Sequence, residues 1–338
     1  MTNRVVLIGH PVAHSYSGAM QQAAFDALGI DARYELWDRR PIDLADAIAA
    51  LRGDDFLGAN VTIPHKEHVV PLVDRLTDDA GATGAVNVIS RDGNKLVGHN
   101  TDVAGFKAAL DKVVGKQKMP RQAVVLGAGG AARSVVSALI AEGFQRIVVF
   151  NRHLHRAEGL VRHFNRSASH MDLKAMPWHE SVLEAELART RVLVNASAVG
   201  MVTGETPIPA ELLPPDLFVI DLTYNPPVTQ LLRDAASAGD ATIGGELMLL
   251  QQGALAFELW TGRPAPIEAM QAELDRTREQ GLRQLPVDMG PAGGVSSGET
   301  AEATGGARNL GARTSDAEGA SNASGTTAKG GATAGRPA

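Results

Sequence analysis

The chain of 338 residues contains no cysteine, so disulfide bridges, thiolate catalysis and cysteine-ligated zinc are excluded from the start. Long apolar runs are missing as well. Stretches such as Ile147–Phe150 fall far short of the roughly 18 residues that a membrane span requires. The apolar run after Met1 ends at the Gly9-His10-Pro11 turn, too short for the apolar core of a signal peptide. No histidine spacing of the His-Glu-x-x-His kind occurs, so no metal is expected. An excess of positive charge is also lacking: the net charge is −6, which argues against nucleic acid as the main partner. No internal repeat of solenoid period is present. We expect a cytoplasmic globular enzyme that works on a small molecule, with neither membrane nor nucleic acid as partner.

What is present is an alternation of short β-rich runs with helical patterns. A chain of this length exceeds the size at which single cores usually stop growing, which favours two domains. Runs at Val5–Ile8, Tyr34–Trp37, Gly58–Ile63 and Ala85–Ser90 alternate with helical patterns such as Ile42–Leu51, and this reads as parallel βαβ units. After a linker at Lys116–Arg121 a second series follows, with strands at Ala123–Leu126, Ile147–Phe150, Val192–Asn195 and Phe218–Asp221. Two further helical patterns, Glu246–Trp260 and Ile267–Glu279, have leucine and phenylalanine spacing suited to packing back on the first domain. The expected architecture is α/β, two α/β domains flanking a cleft, the second a Rossmann-type doubly wound parallel sheet. Residues 1–103 with 246–280 form one domain and 104–245 the other. Between Gly290 and Ala338 the only large aliphatics are Val295 and Leu310, too few to offset ordering entropy, so 281–338 reads as a disordered tail.

The segment Val124-Val125-Leu126-Gly127-Ala128-Gly129-Gly130-Ala131-Ala132 sets a glycine cluster between a buried strand and a helix. Such a turn lets a pyrophosphate approach backbone amides at a helix N-terminus, where the dipole favours an anion. A plain strand-to-helix turn is the alternative, since the sixth position is Ala132. The next strand ends at Phe150 and runs into Asn151, Arg152, His153 and Arg156. An acidic residue at that strand tip would accept from a ribose 2′-hydroxyl, whereas guanidinium groups suit a 2′-phosphate. This points to NADP, with a solvated helix face as the alternative for either arginine alone.

The first half also carries polar clusters at or near strand ends. They are His14-Ser15-Tyr16-Ser17, Asn60-Val61-Thr62-Ile63-Pro64-His65-Lys66, Gly84-Ala85-Val86-Asn87 and Gly98-His99-Asn100-Thr101-Asp102. Parallel sheets bind ligands at strand C-termini, so these clusters could converge. Two hydroxyls near a helix start can hold a carboxylate, amides and hydroxyls can hold alcohols, and Lys66 with Asp102 can exchange a proton. Each residue taken singly has a simpler role: Ser17 or Asp102 as a helix cap, Asn87 in a turn, Lys66 as a surface cation.

The ordered set of motifs resembles the shikimate dehydrogenase family over residues 4–280. The matches are Gly9 to Ser17, Asn60 to Lys66, Gly84 to Asn87, Asn100-Thr101-Asp102 with Gly105-Phe106, Leu126 to Ser134, Asn151-Arg152 with Arg156, Asp221 to Pro226 and Met248 to Gly253. The resemblance implies NADPH-dependent reduction of 3-dehydroshikimate to shikimate. By it Lys66 and Asp102 are the catalytic pair, and Ser15 and Ser17 hold the substrate carboxylate. Thr62, Asn87, Asp102, Tyr224 and Gln252 surround the ring hydroxyls. Gly127, Ala128, Gly129, Gly130, Ala131, Asn151, Arg152, His153, Arg156, Leu222, Gly245 and Asp78 line the cofactor site, and a homodimer is the assembly it leaves open. The chain departs from the family's usual pattern at Gly18 (commonly Pro), Gln21 (His), Val88 (Thr) and His153 (Thr), and none of these removes a catalytic group.

Overall fold

Runs of valine, isoleucine and leucine bounded by glycine fold as strands buried on both faces. Their order and direction come from a computed structural model, which describes residues 2–283 except 116–118, 169–170 and 202–203. Part of the expected 116–121 linker and nearly all of the tail expected over 281–338 lie outside the described residues.

The first half runs β1 (Asn3–Gly9), α1 (Ser17–Ala27), β2 (Ala32–Asp38), α2 (Leu44–Ala50), β3 (Phe56–Val61), β4 (Arg75–Leu76), α3 (Asp78–Thr83), β5 (Val88–Asp92), β6 (Lys95–His99) and α4 (Asp102–Val113). Its sheet has the order β2-β1-β3-β5-β6-β4. Here the expectation of uniformly parallel strands fails. β2 and β3 lie parallel to β1, but β5 is antiparallel to β3, and β6 is antiparallel to β5. The cause is local. Only Gly93-Asn94 separates β5 from β6, and a two-residue connection with Gly93 at φ +61° can make a hairpin but not a crossover. The expected strand over Ala85–Ser90 joins the ladder three residues later, at Val88, although Asn87 still bonds both neighbours: its amide donates to the His99 carbonyl at 3.0 Å and its carbonyl accepts from the Val61 amide at 2.8 Å. Val88 pairs with Asn60 on one side and His99 on the other, so the beginning of β5 sits beside the ends of β3 and β6.

The second half runs β7 (Gln122–Leu126), α5 (Gly130–Ala141), β8 (Arg146–Phe150), α6 (Leu154–Phe164), β9 (Asp172–Met176), α7 (Glu180–Leu187), β10 (Val192–Asn195), β11 (Phe218–Asp221), α8 (Gln230–Ser237) and β12 (Ala241–Ile243). All its pairings are parallel, in the order β12-β11-β10-β7-β8-β9. This is the doubly wound Rossmann order. The chain leaves β7 toward one edge and β10 toward the other, which opens a crevice above their adjoining C-terminal ends. Sequence patterning missed β4 and β6 in the first sheet and β9 and β12 in this one; β9 and β12 are edge strands with mostly part-exposed side chains and no apolar run to betray them.

Two helices complete the chain, α9 (Glu246–Thr261) and α10 (Ile267–Arg283). Leu249, Leu250, Phe257, Met270 and Leu274 join Met20, Ala24 and Phe25 of α1 in one buried cluster, so both helices close over the first sheet. α9 also lies along α4. A Cβ on Gly105 would stand 2.8 Å from the Met248 carbonyl oxygen and 3.0 Å from Gln252 Cβ, so a glycine at this position lets the two helix backbones approach. That approach carries Gln252 to the start of α4, where Asp102 is the first residue.

Candidate active site

Lys66 follows the strand β3 by a short turn, and Asp102 opens α4. Their side chains meet: Lys66 Nζ donates to Asp102 Oδ2 at 2.5 Å, with the carboxylate 3% exposed and the amine 13%. The antiparallel start of β5 supplies the third member. Asn87 Nδ2 donates to Asp102 Oδ1 at 2.9 Å and shares its hydrogens with Thr101 Oγ1 at 2.8 Å and Gln252 Oε1 at 3.2 Å. The Thr101 amide in turn donates to Asn87 Oδ1 at 2.7 Å, and Thr101 Oγ1 donates to the Gln252 carbonyl at 3.0 Å. Four elements thus hold one buried polar cluster, and each amide is oriented by at least two partners. Asp102 is therefore no mere helix cap, and Lys66 no surface cation.

Around this core the other expected contacts fall unevenly. Ser17 is the buried first residue of α1, and its amide donates to Ser15 Oγ at 3.3 Å. Ser15 Oγ lies 3.4 Å from the Tyr224 hydroxyl, and Asn225 Nδ2 donates to the His14 carbonyl at 3.3 Å. The loop after β11 therefore reaches across to the loop after β1. The loop that carries Tyr224 is held by the carboxylate at its start. Asp221 Oδ1 accepts from the Thr223 amide and from Asn195 Nδ2, both at 3.0 Å, and Oδ2 accepts from Thr229 Oγ1 at 2.7 Å. Burial raises the Tyr224 hydroxyl above the ordinary tyrosine value, opposed by Ser15, so it stays protonated and can donate at neutral pH. Thr62 lies one residue past β3, where it packs on Gly9; among the described residues its side chain has no hydrogen bond to the Lys66 cluster. Of the positions that depart from the family's usual pattern, Gln21 is fully buried with Nε2 donating to the Gly253 carbonyl at 2.8 Å.

The glycine turn connects β7 to α5. Gly127 has φ +107°, a region that favours glycine, and a Cβ there would stand 2.8 Å from the Ala196 carbonyl oxygen. The loop beginning Ala196-Ser197 therefore forms the other wall of the crevice. Sequence patterning gave those residues no role, although they follow a parallel strand just as the glycine turn does. Gly129 precedes α5 without any side-chain cap on the first helical amides, so these remain free to meet an anion. Asn151, Arg152, His153 and Arg156 stand at the tip of β8 and the start of α6, with both arginines exposed. Leu222 and Gly245 adjoin each other: a Cβ on Gly245 would collide with the Leu222 carbonyl. Asp78 is different. It is exposed in the first turn of α3, with no hydrogen bond or ion pair to the rest of the site. Among the described residues no group of three or more acidic or histidine side chains could hold a metal. Nor is any described helix long and apolar enough to cross a membrane.

The two half-sites touch. A Cβ on Gly130 would stand 2.5 Å from Lys66 Cβ, so the lysine stem lies directly on the first turn of α5. A lysine bonded to a buried carboxylate at the mouth of such a crevice has the chemistry to exchange a proton with a carbonyl oxygen. Comparison with known proteins identifies the family. Residues 7–89 match the shikimate dehydrogenase substrate binding domain, 110–224 the shikimate / quinate 5-dehydrogenase model and 245–274 the shikimate 5′-dehydrogenase C-terminal domain. The shikimate dehydrogenase (NADP(+)) of Methanopyrus kandleri is 43% identical over 82% of this chain and 97% of its own. The chain belongs to the shikimate dehydrogenase family.

Membership makes it an oxidoreductase. The crystal structure of shikimate 5-dehydrogenase from Thermus thermophilus, in complex with NADP(H) and shikimate, superposes with a TM-score of 0.70. It is 38% identical and the match covers 81% of this chain and 99% of that one. Quinate dehydrogenase from Corynebacterium glutamicum, in complex with NAD, has a TM-score of 0.72 at 29% identity, covering 81% and 99%.

Proposed function

We propose that this chain catalyses the reversible NADPH-dependent reduction of 3-dehydroshikimate to shikimate, a step of aromatic amino-acid (chorismate) biosynthesis. The observation that carries the reading is the Lys66–Asp102 contact at 2.5 Å, buried, oriented by Asn87 and set against Gly130 of the dinucleotide turn. Residues 1–103 with 246–280 form the substrate domain and 104–245 the cofactor domain. The cofactor fits the residues present: uncapped amides open α5, Gly127 and Gly129 leave room beside them, and Arg152 and Arg156 offer charge for a 2′-phosphate. Asn151 and His153 shape that corner, since Asn151 Nδ2 donates to the His153 carbonyl at 2.9 Å. Bound there, the nicotinamide supplies the hydride.

The protein's own part is to bind, orient and move one proton. Ser15 and Ser17, at the entry to α1, hold the carboxylate with help from that helix's amides. Tyr224, Thr62, Asn87 and Gln252 hold ring hydroxyls. As the carbonyl oxygen becomes an alkoxide, the Lys66–Asp102 pair delivers a proton to it, and in the reverse direction the pair takes that proton back. Asp78 joins the reading only as a residue near the cofactor helix.

Following nicotinamide absorbance with 3-dehydroshikimate and each cofactor, then with shikimate and quinate in reverse, tests the proposal. Turnover of shikimate with NADP well above quinate with NAD supports it. Quinate and NAD used equally well would move the chain to the quinate branch, and no turnover of either acid would overturn the reading. A cytoplasmic setting and a homodimer belong to the same proposal; sedimentation at the monomer mass would remove the dimer.

A further inference from the structure

Glu67, the residue after Lys66, has been given no role so far. Its carboxylate leaves the substrate domain and meets two arginines of the other domain. Oε2 accepts from Arg133 Nε at 2.9 Å, and Oε1 lies 3.3 Å from Arg156 Nη2. The two guanidiniums differ. Arg133, on α5, is 14% exposed and donates a second hydrogen bond to the Thr83 carbonyl at 3.1 Å, so it is anchored from both sides. Arg156 is 49% exposed, and Glu67 is its one polar partner among the described residues. Arg156 is also the cation proposed for the 2′-phosphate.

We infer that Glu67 tunes cofactor choice by competing with the 2′-phosphate for Arg156, while its other oxygen keeps the substrate domain tied to α5 through Arg133. This rests on the reading of Arg156 as a 2′-phosphate ligand. Two anions on one guanidinium repel, so binding of the phosphorylated dinucleotide must weaken the Glu67–Arg156 contact. NAD lacks that phosphate and leaves the contact intact. Glu67 thus lowers affinity for NADP selectively, and it keeps the preference below what Arg152 and Arg156 alone would give. The selectivity separates this role from a structural one, because loosening the Arg133 tie would alter both dinucleotides together.

Calorimetric Kd values for NADP and NAD on the full chain test the inference. Glu67→Gln keeps an oxygen for Arg133 but removes the competing charge. An exposed ion pair contributes about 0.2–1 kcal/mol, so NADP should tighten about 1.4- to fivefold while NAD stays within about 1.2-fold. If that variant does not fold, Glu67→Asp serves instead: the shorter carboxylate stays with buried Arg133 and releases Arg156, and the same direction is expected. Equal change in both Kd values, or weaker NADP binding, overturns the inference. Arg156→Ala in the wild-type chain separates the two levels. If it leaves NADP affinity unchanged, the 2′-phosphate assignment fails and this inference with it; if it weakens NADP while Glu67→Gln leaves the NADP-to-NAD ratio unaltered, only this inference fails.

Discussion

The side chain of Lys66 lies where a Cβ on Gly130 would need to be, 2.5 Å from Lys66 Cβ and 3.1 Å from Cδ. Gly130 therefore makes room for the Lys66 stem as well as for the turn after β7. Gly130→Ala should displace Lys66 and lower kcat by at least about tenfold, since misplacing a reacting group by about 1 Å can cost about 100-fold. Steady-state kinetics at saturating cofactor separate this from weaker NADP binding. An unchanged kcat would show that the lysine stem yields freely.

Removal of the lysine itself is the sharper measurement. Losing a general acid/base costs about 10² to 10⁴ in rate, so Lys66→Ala should lower kcat at least about 100-fold with a modest change in KM. Asp102→Asn should lower kcat and also weaken substrate binding, because Asp102 Oδ1 accepts from Asn87. Both variants should still bind NADP. A folded Lys66→Ala enzyme within about threefold of wild type would end the catalytic assignment.

Cofactor preference should depend on the basic pair after β8. Each charge-assisted contact contributes about 1.5–3 kcal/mol, so two arginines can give about 100-fold preference for NADP. Arg152→Asp should erode or reverse it, read as the ratio of kcat/KM for NADP and NAD. Equal use of both cofactors by the wild-type enzyme would count against the pair.

The carboxylate subsite should act on KM. Ser15→Ala with Ser17→Ala removes two hydroxyls of about 1 kcal/mol each and should raise KM for shikimate about 30-fold, with kcat little altered. A wild-type KM in the double variant would place the carboxylate elsewhere.

Acid stability should be sensitive to His99. Burial, then the nearby Arg75 charge, holds its imidazole below the ordinary histidine value, and Nε2 sits 2.7 Å from Ser90 Oγ. A depressed folded value means the unfolded chain binds the proton more readily. The contribution of His99 is thus present above about pH 6.5 and is lost as pH falls through the folded value. Tm should drop between pH 7 and pH 5, and His99→Asn should flatten that drop. An identical pH dependence in the variant would assign the acid loss to other groups.

Much of the second sheet was legible because its four central parallel strands, β8, β7, β10 and β11, are buried aliphatic runs. The glycine turn and the arginines at Arg152 and Arg156 needed no fold to be noticed. The first sheet was harder. Its hairpin at Gly93-Asn94 was written in turn chemistry, but the β-rich run at Ala85–Ser90 concealed where the strand begins. Asp78 matched a motif position, and the structure leaves it exposed and apart from the cluster. No local motif marks Glu67 or the loop at Ala196, whose partners lie far along the chain.

Sequence alone determined the fold class and the family, because periodicity, turn residues and local motifs are short-range properties of the chain. Contacts across long separations were decided only in three dimensions. Asn87 reaches Asp102 because β5 runs antiparallel, Gln252 reaches Asn87 and Thr101 because Gly105 lets α9 lie close on α4, and Lys66 rests on Gly130 because two sheets share one cleft. Such contacts depend on strand direction and backbone approach, and no local pattern encodes either.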